Sequence, residues 1–328
     1  MAELAALLAP LRNSPALLAK QRIAHSARAL AAQAHSLEQA YALPGDDCAA
    51  LKTAHGYQLL AIEGMLPAFV EAAPWFAGWS AVMANVSDIT AMGGRATAVV
   101  NAFWHHDGAA AGELLQGMQA ACAAYAVPMV GGHTSLAAGT PGNLAVAISG
   151  HAQRLLSSLH ARPGQVLAMA ASLDGQWHGA APYFKAFEGV PGARLRDQLE
   201  VLPRLAEAGW VCAAKDVSNA GILGTLLMLL EARGLGARVH LEALPRPPGA
   251  PLGRWLQAFP SYGFLLALDA RHLPAVRDAF AFEGLSCEAF GELDGSGQLH
   301  AHLGPEQALF WDLNHTPLTG YHYPHLEA

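Results

Sequence analysis

Short apolar runs and longer segments with helical spacing alternate along most of the chain. The runs YQLLAI, ATAVVNAFW and NLAVAISGHA are largely apolar, which predicts buried strands. The segments GWSAVMANVSDITAMGG and AGELLQGMQAACAAYAV carry small and apolar residues at helical spacing, so they predict helices, and the first ends at a glycine pair. PMVGGHTS, after the second helix, is predicted to form a glycine turn. This alternation predicts a mixed sheet with helices packed on one face.

The pattern begins again in SLHARPGQVLAMAASLDG, so a domain boundary is expected near residue 155. Beyond it, strands are predicted at QVLAMAAS, ARVHLEAL, YGFLLALD and CEAFGEL, and helices at LRDQLEVLPRLAEAG, NAGILGTLLMLLEARG and LPAVRDAFAFEG. The predicted organisation is an arm of two helices over residues 1–40, an N-terminal domain over 41–155 and a C-terminal domain over 156–328. The fold class is therefore α+β, with two α/β domains and mixed sheets.

Composition adds limits on partners and location. Hydrophobic residues make up 53% of the 328 residues and charged residues 14%, which is typical of a well-buried globular protein. A formal net charge of −7 without runs of Lys or Arg argues against a nucleic-acid partner. The start lacks the basic segment of a secretory signal, and the longest strongly apolar run, ILGTLLMLL, is too short to span a bilayer. The four cysteines form no C-x-x-C pair, so a cytoplasmic protein without a membrane partner is expected.

Carboxylates are scarce in the apolar stretches, yet five stand at element ends, in a turn or inside a small-residue helix: Asp46, Asp47, Glu63, Asp88 and Asp216. A partly buried carboxylate needs a compensating partner, and Mg²⁺ is a hard cation that bridges carboxylates to phosphate oxygens. Each residue also has an ordinary interpretation, because Asp after Pro-Gly is typical of a solvated turn and Asp in a helix often hydrogen-bonds locally. The residues alone leave both interpretations open.

Six segments resemble the aminoimidazole ribonucleotide synthetase-like superfamily in order and approximate spacing. They are PGDDCAAL, AIEGML, GWSAVMANVSDITAMGGRATAVV, VGGHTS, KDVSNAGILGTLLMLLEARGLGARV and YGFLLAL followed by AFGEL. NVSDITAMGG is the most specific of them, KDVSNAGILG is less so, and GDD alone is weak. The superfamily includes thiamine-monophosphate kinase, selenophosphate synthetase, the hydrogenase-maturation dehydratase and formylglycinamidine ribonucleotide synthase.

The resemblance implies a fold, a site and an assembly. The N-terminal sheet would pair with its copy in a homodimer to form a barrel-like core, and the C-terminal domain would cover a cleft for ATP and Mg²⁺. Carried over by position, the implied metal ligands or their neighbours are Asp46, Asp47, Glu63, Asp88 and Asp216. Asp88, Asp216 and His133 are the implied catalytic residues. The implied nucleotide-binding residues are Gly45, Gly93, Gly94, Gly131, Gly132 and Asn219, since glycine lets backbone N–H groups approach phosphate closely.

Two departures from the pattern keep alternatives open. His133 stands where relatives often have an acid, and it is either a substrate or nucleotide contact or a core or capping histidine. Asn219 replaces a second acid, which removes a charge but keeps hydrogen-bonding capacity. The predicted function is ATP- and Mg²⁺-dependent phosphoryl transfer to a small-molecule acceptor, most like thiamine-monophosphate kinase by motif. The alternative is a nucleotide-binding partner or sensor that has lost turnover.

Other polar residues have an ordinary interpretation beside a functional one. Lys20 is expected to be a solvated helix lysine, although it reaches ATP if the arm folds over the cleft. Arg95 follows a glycine pair and is expected at the surface rather than at a phosphate. The pair in WHHDG is expected to point in opposite directions, because neighbouring residues on a strand do. Asp174, Trp177 and His178 are placed on the substrate side.

Overall fold

The computed structural model describes residues 2–34, 40–42, 44–137, 139 and 141–323. Within these residues there are eleven α-helices, α1 to α11, which span Ala2–Arg12, Pro15–Gln21, Ala24–Ala34, Pro67–Ala72, Pro74–Ala91, Gly108–Tyr125, Gly192–Leu199, Val201–Ala208, Gly221–Glu231, Leu252–Leu256 and Leu273–Phe282. The sixteen strands of this described part, β1 to β16, span Ala40–Ala42, Ala49–Thr53, Gly56–Met65, Arg95–His105, Met129–Leu136, Asn143–Ala152, Val166–Ala171, Gln176–Trp177, Tyr183–Lys185, Ala213–Asp216, Gly236–His240, Phe259–Pro260, Gly263–Leu268, Ser286–Asp294, Gln298–Leu303 and Glu306–Asp312.

The N-terminal sheet has the strand order β1-β2-β3-β6-β4-β5, and in the described chain only β4 and β5 run parallel. Helices α5 and α6 pack together on one face of this sheet, over a core that includes Leu59, Val146 and Leu114. Two glycines allow this close packing. A Cβ at Gly78 would lie 2.1 Å from the Leu114 carbonyl oxygen, and one at Gly117 would lie 1.9 Å from the Trp75 carbonyl oxygen. The glycine pattern of these helices therefore brings their backbones into contact.

The C-terminal sheet has the order β10-β13-β7-β14-β11-β15-β16 and is covered on both faces. Along β7, Met169 belongs to the core under α9, while Ala168 and Ala170 face the core under α8 and α11. Alternate residues of this strand thus enter two different cores, which explains its uninterrupted apolar sequence. A small three-stranded sheet of β12, β9 and β8 lies beside the interdomain cavity described below.

The N-terminal helices join the C-terminal core instead of standing apart. Leu4, Leu8 and Leu17 are at most 1% exposed and belong to the same core as α9. The Leu4 N–H donates to Glu306 at 2.8 Å, which fixes the start of α1 against β16. Three helices lie in this region where two were predicted, and residues 35–39 of the predicted arm lie outside the described residues.

The predicted fold class, two α/β domains with mixed sheets, is confirmed, and neither large sheet closes into a barrel in the described chain. The dimeric barrel stays a prediction, as do the domain bounds. Two local predictions were wrong. The PMVGGHTS segment forms strand β5, paired in parallel with β4, instead of a turn. The helix predicted over LRDQLEVLPRLAEAG divides into α7 and α8 at Glu200, because Pro203 has no N–H to donate to the Leu199 carbonyl.

Among the helices of the described chain, none combines the length and apolar character that crossing a membrane requires.

Candidate functional site

Three aspartates from distant parts of the chain converge where the two domains meet. Asp47 lies in the turn before β2, Asp88 lies in α5, and Asp216 is the last residue of β10. One carboxylate oxygen from each lies within 4.8 Å of the other two. The residues are nearly buried, with 7% of Asp88 and 8% of Asp216 exposed. A ligand set made only of carboxylate oxygens suits a hard divalent cation such as Mg²⁺.

Local folding turns each of these carboxylates toward the junction. Helix α5 carries small and apolar residues on all sides, and every residue from Phe76 to Ala91 is buried, so Asp88 is held inside the protein. The turn with Asp47 is fastened to β10. The Asp216 N–H donates to Asp47 Oδ2 at 3.2 Å, and the ammonium group of Lys215 donates to Asp47 Oδ1.

The cluster contains three carboxylates and, among the described residues, only one adjoining ammonium group, that of Lys215, so negative charge is in excess. Burial raises the pKa of Asp88 well above its ordinary value, and the negative charge of Asp216 adds to this effect. Burial also raises the pKa of Asp216 well above its ordinary value, with Asp47 as the next cause. Burial lowers the pKa of Lys215, but the carboxylates of Asp47 and Asp46 outweigh it and hold that pKa above its ordinary value. A further cation would therefore stabilise the ionised carboxylates.

A cavity of about 130 Å³ extends from the cluster, and its polar end also includes Lys20, Glu63 and Asn219. Lys20 reaches the cavity from α2. Burial lowers the pKa of Lys20, and the positive charge of Lys215 lowers it further. Burial raises the pKa of Glu63, although the charge of Lys20 opposes this. The polar end thus places cationic and anionic groups from the N-terminal helices and both domains around one space.

The other end of the cavity is lined by the aromatic residues Phe69, Phe76, Tyr183 and Phe259. The ring centroids of Phe69 and Phe76 are 5.3 Å apart, and those of Phe69 and Tyr183 are 5.1 Å apart. The Lys185 ammonium lies 5.5 Å from the centroid of the Phe76 ring. Ring faces and edges exposed to a cavity suit a planar group.

Several predicted site residues come together here, and Asp46 does not. Asp47, Glu63, Asp88, Asp216 and Asn219 all lie at or beside the cavity. The Asp46 carboxylate instead accepts hydrogen bonds from the Ser157 hydroxyl and from the Ser158 N–H, the latter at 2.9 Å. Asp46 therefore ties the turn to the segment that links the two domains.

The predicted glycines serve the packing of the chain. The N–H of Gly94 donates to the Ile89 carbonyl at 2.9 Å, so Gly93 and Gly94 form the end of α5 and do not line the cavity. Gly45 has a φ of +110°, and a Cβ there would lie 2.6 Å from Cβ of Tyr321. Its carbonyl accepts a hydrogen bond from Lys215 at 3.3 Å, which links it to the cluster only through the backbone.

His133 and the glycine pair before it lie on β5, away from the carboxylates of the same chain. His133 pairs with Ala102 across the sheet, is exposed, and has its ring 5.8 Å from that of Trp104. Glu63, by contrast, pairs with the buried Val146 and so faces the helical side of the sheet. Gly131 and Gly132 are likewise exposed on β5 and do not line the cavity.

Four remaining expectations have different outcomes. Lys20 was expected in solvent and instead lines the cavity. Arg95 forms ion pairs with Glu200 and Glu207 at 2.6 Å each, which uses its guanidinium away from the cavity.

The imidazoles of WHHDG do not point in opposite directions, because their rings stack 5.0 Å apart at the end of β4. Asp174 is exposed and away from the cavity lining. The ring of His178 packs 4.9 Å from Phe76, next to the aromatic end, while Trp177 packs under Arg254.

Sequence reasoning missed Lys215 and the aromatic end. The available signal for Lys215 was a lysine directly before Asp216 in the short strand AAKD, whose four residues are all buried. The aromatic residues come from α4, α5, β9 and β12, so their proximity depends on tertiary structure that no sequence spacing discloses.

Comparison with known proteins places this arrangement in a family. The model of the AIR synthase related protein N-terminal domain matches residues 45–153, and that of the C-terminal domain matches residues 150–304. The chain belongs to the AIR synthase related protein family. Uncharacterized protein sll0787 of Synechocystis is 45% identical over 84% of this chain and 86% of its own length. Uncharacterized protein MJ0640 of Methanocaldococcus jannaschii is 31% identical over 73% of this chain and 74% of its own length.

Solved structures share the fold. Thermotoga maritima PurL complexed with ADP has a TM-score of 0.70 at 17% identity, with 93% of this chain and 52% of PurL covered. AaThiL complexed with AMPPCP and TMP has a TM-score of 0.63 at 15% identity, with 87% of this chain and 96% of AaThiL covered. The chain thus spans about half the length of the PurL chain it matches. Adenine nucleotides or their analogues are bound in both of these neighbours.

Proposed function

We propose that this protein catalyses ATP- and Mg²⁺-dependent phosphoryl transfer to a small-molecule acceptor, as a kinase or as an ATP-driven ligase. The observation that carries the proposal is the buried cluster of Asp47, Asp88 and Asp216 at one end of an interdomain cavity that also contains Lys20. Family membership and nucleotide-bound neighbours of the same fold support it.

The chain's own residues have three tasks in this reaction. Asp88 and Asp216 would hold Mg²⁺, which supplies charge neutralisation for the phosphate oxygens when it is bound. The Lys20 ammonium would bind a phosphate oxygen and orient the nucleotide. Phosphoryl transfer needs positioning and electrostatic stabilisation rather than a side-chain nucleophile.

By its motifs, the proposed activity is most like that of thiamine-monophosphate kinase. The aromatic end of the cavity supports an occupant with a planar ring, either the acceptor or the adenine base. Trp177 and His178 stay proposed substrate-side residues, and the proximity of His178 to Phe76 favours that role for His178.

A homodimer is proposed as the working assembly. The face of the N-terminal sheet opposite α5 exposes large apolar side chains, with Ile62 68% exposed, Leu60 46%, Val100 42% and Trp104 37%. Ile62 and Val100 both pair with Ala147, so they share one face. A second copy would cover this face, and His133 and Gly132, on the neighbouring strand, would then lie at the dimer interface.

The second candidate is a nucleotide-binding partner or sensor without turnover. Asn219, a neutral residue at the cavity, and the distance of His133 from the carboxylates favour it. Phosphoryl transfer from ATP across a panel of metabolites, with and without Mg²⁺, separates the two candidates. Mg²⁺-dependent phosphorylation of one acceptor supports the enzyme, whereas Mg²⁺-dependent ATP binding with no acceptor ever phosphorylated supports the sensor. Failure of ATP to bind would refute both.

A further inference from the structure

Lys215 occupies an unusual place for an ammonium group. Its side chain is only 4% exposed, and it stands within β10 directly before the cluster residue Asp216. It forms an ion pair with Asp47 and also donates to the Gly45 carbonyl at 3.3 Å. β10 is the edge strand of the C-terminal sheet and pairs with β13, where Lys215 lies opposite Leu265, so this pairing fixes one side of the backbone that carries the ammonium.

The ion pair and a backbone hydrogen bond occupy both carboxylate oxygens of Asp47 as acceptors. The Oδ1 atom of Asp47 accepts from Lys215, and its Oδ2 atom accepts from the Asp216 N–H at 3.2 Å. No such donor to the side chain of Asp88 or Asp216 is found among the described residues. Of the three clustered carboxylates, two are therefore open to a metal ion and the third is already bound to a cation of the protein itself.

A site for two divalent ions needs carboxylates that serve both ions at a separation of about 4 Å. Here the second position, beside Asp47, is taken by a fixed ammonium that repels another cation. Lys20 adds a second positive charge across the cavity, near Glu63.

We propose that Lys215 is a built-in cation of the carboxylate cluster, which holds Asp47 and limits the protein carboxylates to one divalent ion bound through Asp88 and Asp216. This inference rests on the proposed metal and nucleotide site. It assigns to Lys215 the charge-neutralising role that a second metal ion would otherwise have.

Mn²⁺ serves as the probe, since it takes oxygen ligands like Mg²⁺ and its bound fraction can be counted by electron paramagnetic resonance. Titrations are done with the full chain, alone and with β,γ-methylene ATP, and an equal concentration of free analogue is measured to subtract the ion that the nucleotide binds by itself. The wild type is expected to bind one ion per chain through its own carboxylates. Lys215→Met, which removes the charge but keeps a side chain of similar length, is expected to free Asp47 and bind two.

Two further variants keep the experiment decisive. Lys52→Met removes a charge from an exposed lysine on β2 and is expected to keep one ion. The double variant Asp47→Asn with Lys215→Met replaces the whole ion pair by neutral groups, so it avoids an uncompensated buried charge if Lys215→Met does not fold. It is also expected to bind one ion.

Four results would overturn the inference. Two ions in the wild type would show that the ammonium does not exclude the second metal, and the proposed function would stand. A single ion in folded Lys215→Met would show that the ammonium does not limit the number of ions. A count below one in the folded double variant would show that the ion needs Asp47 as a ligand and is not held by Asp88 and Asp216 alone. Absence of Mn²⁺ binding with the nucleotide analogue in the wild type would remove the proposed function together with this inference.

Discussion

Replacing Asp88 by Asn should stabilise the protein without ligands and weaken its binding of Mg²⁺ and nucleotide. Asp88 is buried in α5 close to the carboxylates of Asp47 and Asp216. In the absence of a bound cation its ionised form is unfavourable, which is why burial and Asp216 raise its pKa. Asn has nearly the same shape and carries no charge, so it removes the repulsion together with the metal ligand.

The size of the effect follows from the distances. Two ionised carboxylates whose oxygen atoms lie within 4.8 Å of each other repel by at least about 3 kcal/mol at an effective dielectric constant of about 20. Lys215 offsets the charge of Asp47, so the pair of Asp88 and Asp216 is the main contribution. Partial protonation of the carboxylates relieves some of this repulsion in the wild type. We therefore expect Asp88→Asn to gain about 1 to 3 kcal/mol in the free energy of unfolding near pH 8. This corresponds to a rise in Tm of roughly 2 to 6 °C for a chain of this size.

The sign of the pH dependence provides a second observable. Because folding raises the pKa of Asp88, the unfolded chain releases this proton at lower pH than the native protein does. The wild type therefore loses stability relative to Asp88→Asn as the pH rises from the ordinary value of 3.8 through the raised pKa. The difference in Tm between the two proteins should be largest at neutral to alkaline pH and should shrink in acid.

Thermal unfolding without Mg²⁺ or nucleotide, followed by calorimetric titration with Mg²⁺ and β,γ-methylene ATP, measures both effects. At least a tenfold loss of affinity is expected for Asp88→Asn, or about 1.4 kcal/mol. Asp278→Asn, which changes an exposed aspartate of α11, is the matched control and should alter neither quantity. An Asp88→Asn protein that binds the nucleotide as tightly as the wild type, or that is less stable than it at pH 8, would refute the assignment of Asp88 to a metal site.

Three further predictions follow from other parts of the molecule. Tyr183→Ala should raise the KM for the ring-bearing occupant of the cavity at least tenfold, because it removes one of the aromatic rings that line the cavity. The control Phe282→Ala removes an exposed ring and should leave this KM unchanged. If the KM that rises is that for ATP, the occupant is the adenine base. Ile62→Asp should convert a dimer into monomers in light scattering coupled to gel filtration, and a monomeric wild type would contradict the proposed assembly. Glu231→Gln should lower the free energy of unfolding by about 1 to 3 kcal/mol. The reason is that this buried carboxylate accepts hydrogen bonds from the backbone N–H groups of Leu318 and Thr319 at 2.7 Å. An unchanged midpoint of denaturant unfolding would contradict this prediction.

Much of the fold follows from the sequence because burial and periodicity agree there. NLAVAISGHA was predicted as a strand and forms β6 over the same residues, with alternate side chains buried. The prediction of a turn at PMVGGHTS is wrong because its glycines indicate a turn locally, while the parallel pairing with β4 that makes it a strand is a long-range interaction. The break at Glu200 was signalled by Pro203, which the helical spacing around it obscured.

The sequence predicts which acidic residues form the candidate site, but it does not predict how they are arranged in space. The motifs placed Asp88 and Asp216 in segments that resemble one family, and the structure brings them together with Asp47. No local pattern in the sequence predicts that α2 packs on the C-terminal domain. Leu17 of α2 belongs to the core of that domain, and this packing determines where Lys20 lies. The role of Lys215 was equally hidden, because an ion pair between residues 168 positions apart leaves no local pattern.

The two adjacent aspartates of PGDDCAAL can both carry a charge because each carboxylate accepts hydrogen bonds from its own set of donors. Asp46 accepts hydrogen bonds from Ser157 and Ser158 in the interdomain segment, and Asp47 is paired with Lys215 on β10. The tail closes over the same turn, since the Tyr323 hydroxyl donates to the Pro44 carbonyl at 3.0 Å. One turn of the N-terminal domain is thereby bound to the linker, to the edge strand β10 of the C-terminal domain and to the tail. A movement of the two domains that opens the cavity must therefore either break these hydrogen bonds and the ion pair or move the contacting segments together with the turn. Because Asp47 lies in this turn, the position of the domains and the arrangement of the carboxylate cluster are coupled there.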